Sequence, residues 1–178
     1  MIRDDFYKII QNNNYQYCAE IGVQRGDFAI KLLQASCIKK LFLIDSWQYI
    51  KDYHDIANVH NDTQQQIYSD VCNKFKDNNK VEIIKDFSIE ASRRFEDNFF
   101  DFIYLDADHS YEGVKNDILH WFPKLKKTGI LSGHDYLDGT IDAGNFGVKS
   151  AVDEFCKKNN YIINLTDEKE WKSWYIKK

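Results

Sequence analysis

The chain contains 178 residues, 43% of them hydrophobic and 29% charged, which is the balance of a folded globular protein and excludes an intrinsically disordered one. Its formal net charge is −4, so it lacks the basic surface with which nucleic-acid-binding proteins neutralise phosphates. It has no apolar run of roughly 18 residues and no apolar stretch near its start, so we expect neither a membrane span nor a secretory signal. Four scattered cysteines, with no Cys-x-x-Cys pair, fit reduced thiols and predict a cytoplasmic protein.

Hydrophobic periodicity in the first half of the chain predicts helices and strands in alternation. Helices are predicted over residues 2–12, 27–34 and 62–77, and strands over residues 17–21, 40–45 and 81–85. The second of these strands is an almost continuous apolar run, which is typical of a parallel strand buried on both faces. A polar and aromatic loop, residues 46–61, separates it from the third helix.

The same alternation continues to the end of the chain. Further helices are predicted around residues 89–95, from 111 to Pro123 and over 147–158. Further strands are predicted over residues 100–105, 129–132, 161–165 and 171–176, and a loop over 137–146. Strands that alternate with helices form a parallel sheet covered on both faces, so we predict one α/β domain over residues 1–178. The last two strands are joined by a short turn and are expected to pair antiparallel.

Two glycines follow the first strand, in the segment Glu20-Ile-Gly-Val-Gln-Arg-Gly26. Gly22 and Gly26 would let the backbone turn tightly at the carboxyl edge of the sheet, where a ligand can approach. Their spacing is not the Gly-x-Gly-x-x-Gly of dinucleotide-binding proteins, and an ordinary strand-to-helix turn explains them equally well. Asp45 ends the second strand, where it can accept hydrogen bonds from ribose hydroxyls or simply cap a helix.

Acidic and histidine side chains follow two later strands. Asp106, Asp108 and His109 come after the fourth strand, and His134 and Asp135 come after the fifth. If these strands are neighbours, their ends lie about 4.8 Å apart, so Asp106, His134 and Asp135 could meet around one ion. Oxygen ligands suit Mg²⁺, and a histidine among them suits Mn²⁺. A hydrogen-bonded polar cluster without a metal is the alternative.

These motifs occur in the order found in a known family. The segments that carry the resemblance are Glu20-Ile-Gly-Val-x-x-Gly26, Ile44-Asp-Ser-Trp47, Leu105-Asp-Ala-Asp-His-Ser-Tyr-Glu-Gly113, Trp121-x-Pro123 and Gly133-His-Asp-Tyr136. Over residues 15–178 the chain resembles class I S-adenosylmethionine-dependent methyltransferases, with macrocin O-methyltransferase in the nearest branch and catechol O-methyltransferase more distant. The resemblance implies a Rossmann-like, doubly wound sheet of seven strands, mostly parallel, whose last strand is antiparallel and lies between the fifth and the sixth.

The resemblance also implies where S-adenosylmethionine would bind. Glu20, Gly22, Val23 and Gly26 would lie near its methionine, Asp45 and Ser46 near its ribose, and Asp86, Phe87 and Ser88 near its adenine, with Asp106 completing the cofactor-binding set. In metal-dependent relatives the ion is held at the positions of Asp106, His134 and Asp135. The resemblance therefore implies a divalent cofactor, Mg or Mn. Because a histidine here replaces the commoner carboxylate, it stays open whether the protein uses this metal.

Methyl transfer to a hydroxyl needs a positioned acceptor and the removal of its proton. A divalent ion lowers the pKa of a bound hydroxyl, and a neighbouring base takes the proton. We predict His109 as that base, because the ordinary pKa of histidine lies near neutral pH, and Asp108 as the second choice. Capping of the following helix is the structural alternative for His109.

Aromatic and histidine side chains of the two long loops are expected to surround the acceptor. They are Trp47, Tyr49, Tyr53, His54 and His60 in the first loop, and Tyr136 and Phe146 beside the second. Aromatic faces suit sugars and phenols alike, so the expected partner is a small hydroxylated molecule, and assembly into a homo-oligomer stays open. The competing functions are metal-independent O- or N-methylation and a cofactor-binding interaction module without catalysis.

Overall fold

The computed structural model describes residues 1–178, and its main element is a seven-stranded sheet. The strands are β1 (Tyr17–Ile21), β2 (Lys40–Asp45), β3 (Val81–Lys85), β4 (Phe100–Leu105), β5 (Leu125–Gly133), β6 (Asp138–Ile141), β7 (Gly144–Gly147), β8 (Asn164–Leu165) and β9 (Trp174–Lys177). The helices are α1 (Phe6–Asn12), α2 (Asp27–Leu32), α3 (Asn61–Phe75), α4 (Ser88–Ser92), α5 (Tyr111–Trp121) and α6 (Val148–Asn159). The strand order is β3-β2-β1-β4-β5-β9-β8, with β9 antiparallel to both neighbours. The predicted Rossmann-like sheet is confirmed.

The strands of the sheet send apolar side chains to two faces, and helices cover both faces. On one face, Phe42 of β2 lies in a buried cluster with Trp121 of α5. On the other face, Leu41 and Leu43 of the same strand lie in a second cluster with Phe28 of α2. Because both faces are covered, a ligand can reach the sheet only at an edge.

The carboxyl ends of the parallel strands meet at one such edge. The register pairs Ile21 of β1 with Ile44 of β2 and with Leu105 of β4, and pairs Leu105 with Gly133 of β5. The expected adjacency of the fourth and fifth strands is therefore confirmed. The segments that follow these strands begin side by side, which is the condition on which the predicted site depends.

The predicted loop over residues 137–146 is largely a hairpin, formed by β6 and β7. No alternating apolar pattern marks it, because every residue of β6 is exposed and Gly139 and Gly144 adopt positive φ angles. The hairpin contacts the first long loop through a β-bridge between Asp55 and Gly144. This tertiary contact brings Asp55 to the carboxyl edge of the sheet.

The last two strands pair antiparallel as expected, but each is shorter than predicted. The reason is the segment between them, where Thr166 and Ser173 exchange backbone and hydroxyl hydrogen bonds that close a loop. None of the helices combines the length and the apolar character required to cross a membrane.

Candidate active site

A cavity of about 680 Å³ opens at the carboxyl edge of the sheet. This volume lies within the roughly 300–1,000 Å³ typical of small-molecule and cofactor sites. Of the residues predicted to bind a cofactor or to act in catalysis, those that line the cavity are Glu20, Gly22, Val23, Asp45, Ser46, Asp86, Phe87, Ser88, Asp106, Asp108 and His109. Gly26, His134 and Asp135 do not line it.

The two glycines after β1 have different roles. Gly22 has a φ of +87°, and a Cβ there would overlap the backbone carbonyl of Asp106, so the ends of β1 and β4 approach as closely as only glycine allows. Gly26 has a φ of +72° at the start of α2 and faces the ring of Phe75. Gly26 therefore shapes the turn but does not line the cavity. The sequence predicted that it would lie near the methionine of the cofactor.

Asp45 holds the turn after β1 in place. One carboxylate oxygen accepts hydrogen bonds from the backbone N–H groups of Val23 and Gln24, both at 2.9 Å, and the other accepts from the N–H of Trp47 at 2.8 Å. A carboxylate offers about four acceptor positions, so Asp45 retains capacity for a further donor from the cavity.

Glu20 and Arg3 form one end of the cavity. Glu20 is 1% exposed, its Oε2 has no hydrogen-bond partner, and burial raises the pKa of its carboxyl well above the usual range. Arg3 lies just before α1, and its Nη2 donates to Oδ2 of Asp106 at 2.7 Å. Arg3 could not be predicted as a site residue from the sequence, because no motif around it indicates a contact with a residue 103 positions away.

The opposite end of the cavity lies beside β3 and α5. Asp86 accepts a hydrogen bond from the backbone N–H of Phe87 and pairs with Arg94. Asp117 of α5, which was not predicted, also lines the cavity and receives a hydrogen bond from the Ser88 hydroxyl. The sequence contains a signal for Asp117, because this acidic residue lies on the helix face that positions 114, 118 and 121 otherwise make apolar.

His109 lies among three carboxylates. Its Nδ1 is 2.8 Å from Oδ2 of Asp55, and its Nε2 is 3.3 Å from both Oδ1 of Asp106 and Oδ2 of Asp135. Its ring stacks on that of Phe146 at a centroid distance of 5.1 Å. The carboxylates come from the first long loop, the end of β4 and the end of β5, so the histidine joins three segments of the site.

This environment changes the protonation of His109. Burial alone would lower its pKa, but hydrogen bonds to Asp106 and Asp55 outweigh burial and raise the pKa to about 10. The expectation of a pKa near neutral pH is therefore wrong for this arrangement, and the imidazole is a cation at pH 7. Its assignment as a catalytic base stays a prediction.

Asp108 is mainly occupied by the start of α5. Its Oδ1 accepts a hydrogen bond from the backbone N–H of Ser110 at 2.8 Å, and its carboxyl group fills the space beside Gly113 that a Cβ would need. Ser110 caps the helix itself, by accepting from the N–H of Gly113 at 3.0 Å. Helix capping therefore belongs to Asp108 and Ser110, and the side chain of His109 is free for the carboxylate cluster.

Asp106, His134 and Asp135 come together as predicted, with one ligand atom from each lying within 4.8 Å of the others. Nδ1 of His134 is 2.7 Å from Oδ1 of Asp135 and 3.9 Å from Oδ1 of Asp106. Ligand atoms about 2.1 Å from an octahedral Mg²⁺ stand about 3.0 Å apart when adjacent and about 4.2 Å apart when opposite, so the pair formed by His134 and Asp106 would need to approach to occupy adjacent positions. Two carboxylates and an imidazole are nevertheless a donor set that suits Mg²⁺ or Mn²⁺.

Most aromatic residues expected around the acceptor do not line the cavity, and Tyr53 is the exception. Trp47 is 2% exposed, packs on Tyr68 and donates from Nε1 to a backbone carbonyl, so it belongs to the core. Tyr49 and His60 stack on each other outside the cavity, while His54 and Tyr136 also lie outside it. A polar wall of Tyr53, Asp55 and His109 takes the place of the expected aromatic one.

The sequence matches a family model described as a methyltransferase domain over residues 19–136. No curated protein sequence matches the chain significantly. Similar solved structures include a Staphylococcus aureus protein proposed to be a caffeoyl-CoA O-methyltransferase, with 18% identity and a TM-score of 0.71 over 99% of this chain and 82% of that one. An O-methyltransferase from Bacillus cereus in complex with SAH has 13% identity and a TM-score of 0.68 over 99% of this chain and 80% of that one.

The chain shares its overall fold with these two solved structures, and its own cavity opens at the carboxyl edge of the sheet. Because the family model covers more than half of its length, the chain belongs to the methyltransferase-domain family. At identities below 20%, the solved structures support the fold alone. The family and the fold together make this protein a class I S-adenosylmethionine-dependent methyltransferase.

Proposed function

We propose that this protein is an O-methyltransferase that acts on a small hydroxylated molecule, such as a sugar or a phenol, within one catalytic domain spanning residues 1–178. The observation that carries the proposal is the single cavity that joins the predicted cofactor-binding residues to the polar cluster around His109. The motifs Asp106-Ala-Asp-His-Ser-Tyr and Gly133-His-Asp-Tyr support a place in the macrocin O-methyltransferase branch.

The residues that line the cavity fit S-adenosylmethionine in length and in chemistry. The loops after β3 and β4 are separated by three strand spacings, roughly 14 Å, which lets an elongated ligand lie across the sheet edge. Asp45 has acceptor capacity for ribose hydroxyls in the middle. At the β4 end, the unpartnered Oε2 of Glu20 suits a cationic amino group.

The acceptor would lie against Tyr53, Asp55 and His109, beside the end of β4. In-line transfer of a methyl group depends chiefly on holding the acceptor oxygen in line with the sulfonium, and a hydroxyl can be held by hydrogen bonds from Tyr53 and His109. The carboxylates of Asp55 and Asp106 provide the negative environment that favours a cationic cofactor. As a cation, His109 would stabilise the acceptor oxygen when its proton has left.

A divalent metal is the second element of the proposal, and Asp106, His134 and Asp135 would hold it. Such an ion would lower the pKa of an acceptor hydroxyl bound to it. Metal-independent methylation is the alternative, and one observation favours it. Nε2 of His109 already lies between the carboxylates of Asp106 and Asp135, at 3.3 Å from each, so an imidazolium supplies positive charge there.

Cofactor binding can be tested by titration calorimetry with S-adenosylmethionine and S-adenosylhomocysteine. We expect Gly22→Ala to abolish binding, because its Cβ would displace the backbone of Asp106. Gly139→Ala is the matched control, since Gly139 also has a positive φ but a Cβ there would meet no atom within 4 Å. Failure of the unmodified protein to bind either compound would refute the proposed function.

The reaction and the metal can be tested together by following S-adenosylhomocysteine formation with a panel of catechols, phenols and glycosides. Turnover that requires Mg²⁺ or Mn²⁺ and stops with a chelator supports the metal-assisted reaction. Full turnover in chelator supports the alternative in which His109 acts without a metal. Methylation of amines but of no hydroxyl compound would contradict O-methylation.

A further inference from the structure

Arg3 places a guanidinium group at the cavity, next to residues that are predicted to bind the cofactor. Its Nη2 donates to Oδ2 of Asp106 at 2.7 Å. The guanidinium carbon stands 4.3 Å from the ring centroid of Phe28 and 5.3 Å from that of Tyr104, distances at which a cation interacts favourably with an aromatic face. These contacts fix the side chain without using all of its donors.

Two polar atoms at this end of the cavity are buried and have no hydrogen-bond partner. They are Nε of Arg3 and Oε2 of Glu20. Buried donors and acceptors are almost always paired in folded proteins, so two orphaned atoms that line one cavity indicate a ligand that would pair with them. The ligand must offer an acceptor to the arginine and a donor to the glutamate.

The backbone around Arg3 is anchored independently of any ligand. The N–H of Arg3 donates to the side chain of Glu168, in the loop between β8 and β9. The preceding residue Ile2 accepts a backbone hydrogen bond from Asp5, which closes the short turn before α1. The guanidinium is therefore presented to the cavity by a folded segment.

We propose that Arg3 binds the α-carboxylate of the cofactor's methionine moiety while Glu20 binds its α-ammonium group, so that the site selects a cofactor that retains the carboxylate. This inference rests on the proposed function, because it assigns an orientation to S-adenosylmethionine in the cavity. The planar guanidinium matches the two oxygens of a carboxylate, and a bound ammonium group would favour the ionised form of Glu20, which is an acceptor only. The opposite orientation would bring the ligand's ammonium group against the guanidinium of Arg3, where like charges repel.

The test compares three ligands that share adenosine and sulfur. S-adenosylmethionine carries both charged groups of the amino acid, its decarboxylated form carries only the ammonium group, and 5′-methylthioadenosine carries neither. We expect Arg3→Gln to weaken binding of S-adenosylmethionine on the order of 10- to 100-fold, as for loss of a charged hydrogen bond. Binding of the other two ligands should change less than about threefold, and Arg3→Lys should recover part of the loss because it keeps the charge.

Two further variants complete the design. Glu20→Gln should weaken both ligands that carry the ammonium group and spare 5′-methylthioadenosine. Arg93→Gln is the control for loss of an arginine charge, because Arg93 is exposed beside α4 and outside the cavity.

Equal weakening of all three ligands by Arg3→Gln would overturn the proposal, since it would show that Arg3 only supports the structure. Unchanged binding of S-adenosylmethionine in that variant would overturn it as well. If the unmodified protein binds none of the three, the proposed function fails and this inference fails with it. If the unmodified protein binds the ligands but Arg3→Gln does not distinguish among them, this inference is refuted and the proposed function is not.

Discussion

Asp117 offers the clearest test of how burial acts on a charged group in this fold. It is 5% exposed on α5, and desolvation raises its pKa from 3.8 to about 7, although a hydrogen bond from Ser88 opposes the shift. The Ser88 hydroxyl in turn accepts from the indole N–H of Trp121 at 2.8 Å. Asp117→Asn keeps the size and an acceptor oxygen and removes the titration. We therefore predict that it stabilises the protein at pH 7 and above.

The direction and the size of the effect follow from the two pKa values. Because the pKa of Asp117 is higher in the folded state than in the unfolded state, the folded protein holds the extra proton between about pH 4 and pH 7. Raising the pH through this interval therefore removes stability, by about 4 kcal/mol at 1.36 kcal/mol per pKa unit. The asparagine variant lacks this loss, so its advantage should be greatest near pH 8 and should shrink toward pH 4.

Urea unfolding followed by circular dichroism across this pH interval measures the difference directly. Glu112→Gln is the matched control, because it removes one carboxyl group from an exposed position of the same helix. We expect its effect on the free energy of unfolding to be small at every pH. A difference between Asp117→Asn and the unmodified protein that does not grow with pH would refute the assignment of the buried, proton-holding carboxyl to Asp117.

Three other outcomes are expected at the site. Asp45→Ala should weaken S-adenosylhomocysteine binding by roughly 1–3 kcal/mol in calorimetry, and unchanged affinity would contradict a ribose contact. Asp55→Asn should lower the pKa of His109 from about 10, because Nδ1 loses its carboxylate partner, and an NMR titration of the imidazole in chelator measures this. Asp135→Ala should remove any metal-dependent turnover and leave cofactor affinity within about twofold. Metal-stimulated turnover in that variant would exclude Asp135 as a ligand.

The sheet could be predicted because its buried strands consist largely of apolar residues, which are visible in the sequence. The apolar runs of β2 and β4 describe strands covered on both faces, and in the structure each of these strands has a neighbouring strand on both sides. Hairpin β6–β7 could not be predicted in this way. Its first strand is exposed throughout, and it is held by a bridge to Asp55 rather than by apolar side chains.

In the site, too, the residues that belong to local motifs could be predicted, and the residues that arrive through tertiary contacts could not. Asp106 and Asp135 are at the edge of the sheet because each directly follows a parallel strand, which is a local property of the sequence. Arg3 and Asp55 reach the same edge through contacts with residues 103 and 54 positions away along the chain. No window of the sequence contains both partners, so neither residue could be assigned from a motif.

His109 shows why a residue type alone does not define a catalytic role. The pKa that makes histidine a suitable base at neutral pH belongs to a solvated imidazole. Here carboxylates from three segments surround the ring, and the hydrogen bonds to Asp106 and Asp55 raise its pKa to about 10. At pH 7 a protonated His109 cannot take the proton of the substrate's hydroxyl group. It can donate a hydrogen bond to the hydroxyl oxygen once that proton has left. For His109 to act as a base, a ligand must first draw Asp106 and Asp135 away from its ring, and the divalent ion that those two carboxylates suit would do so.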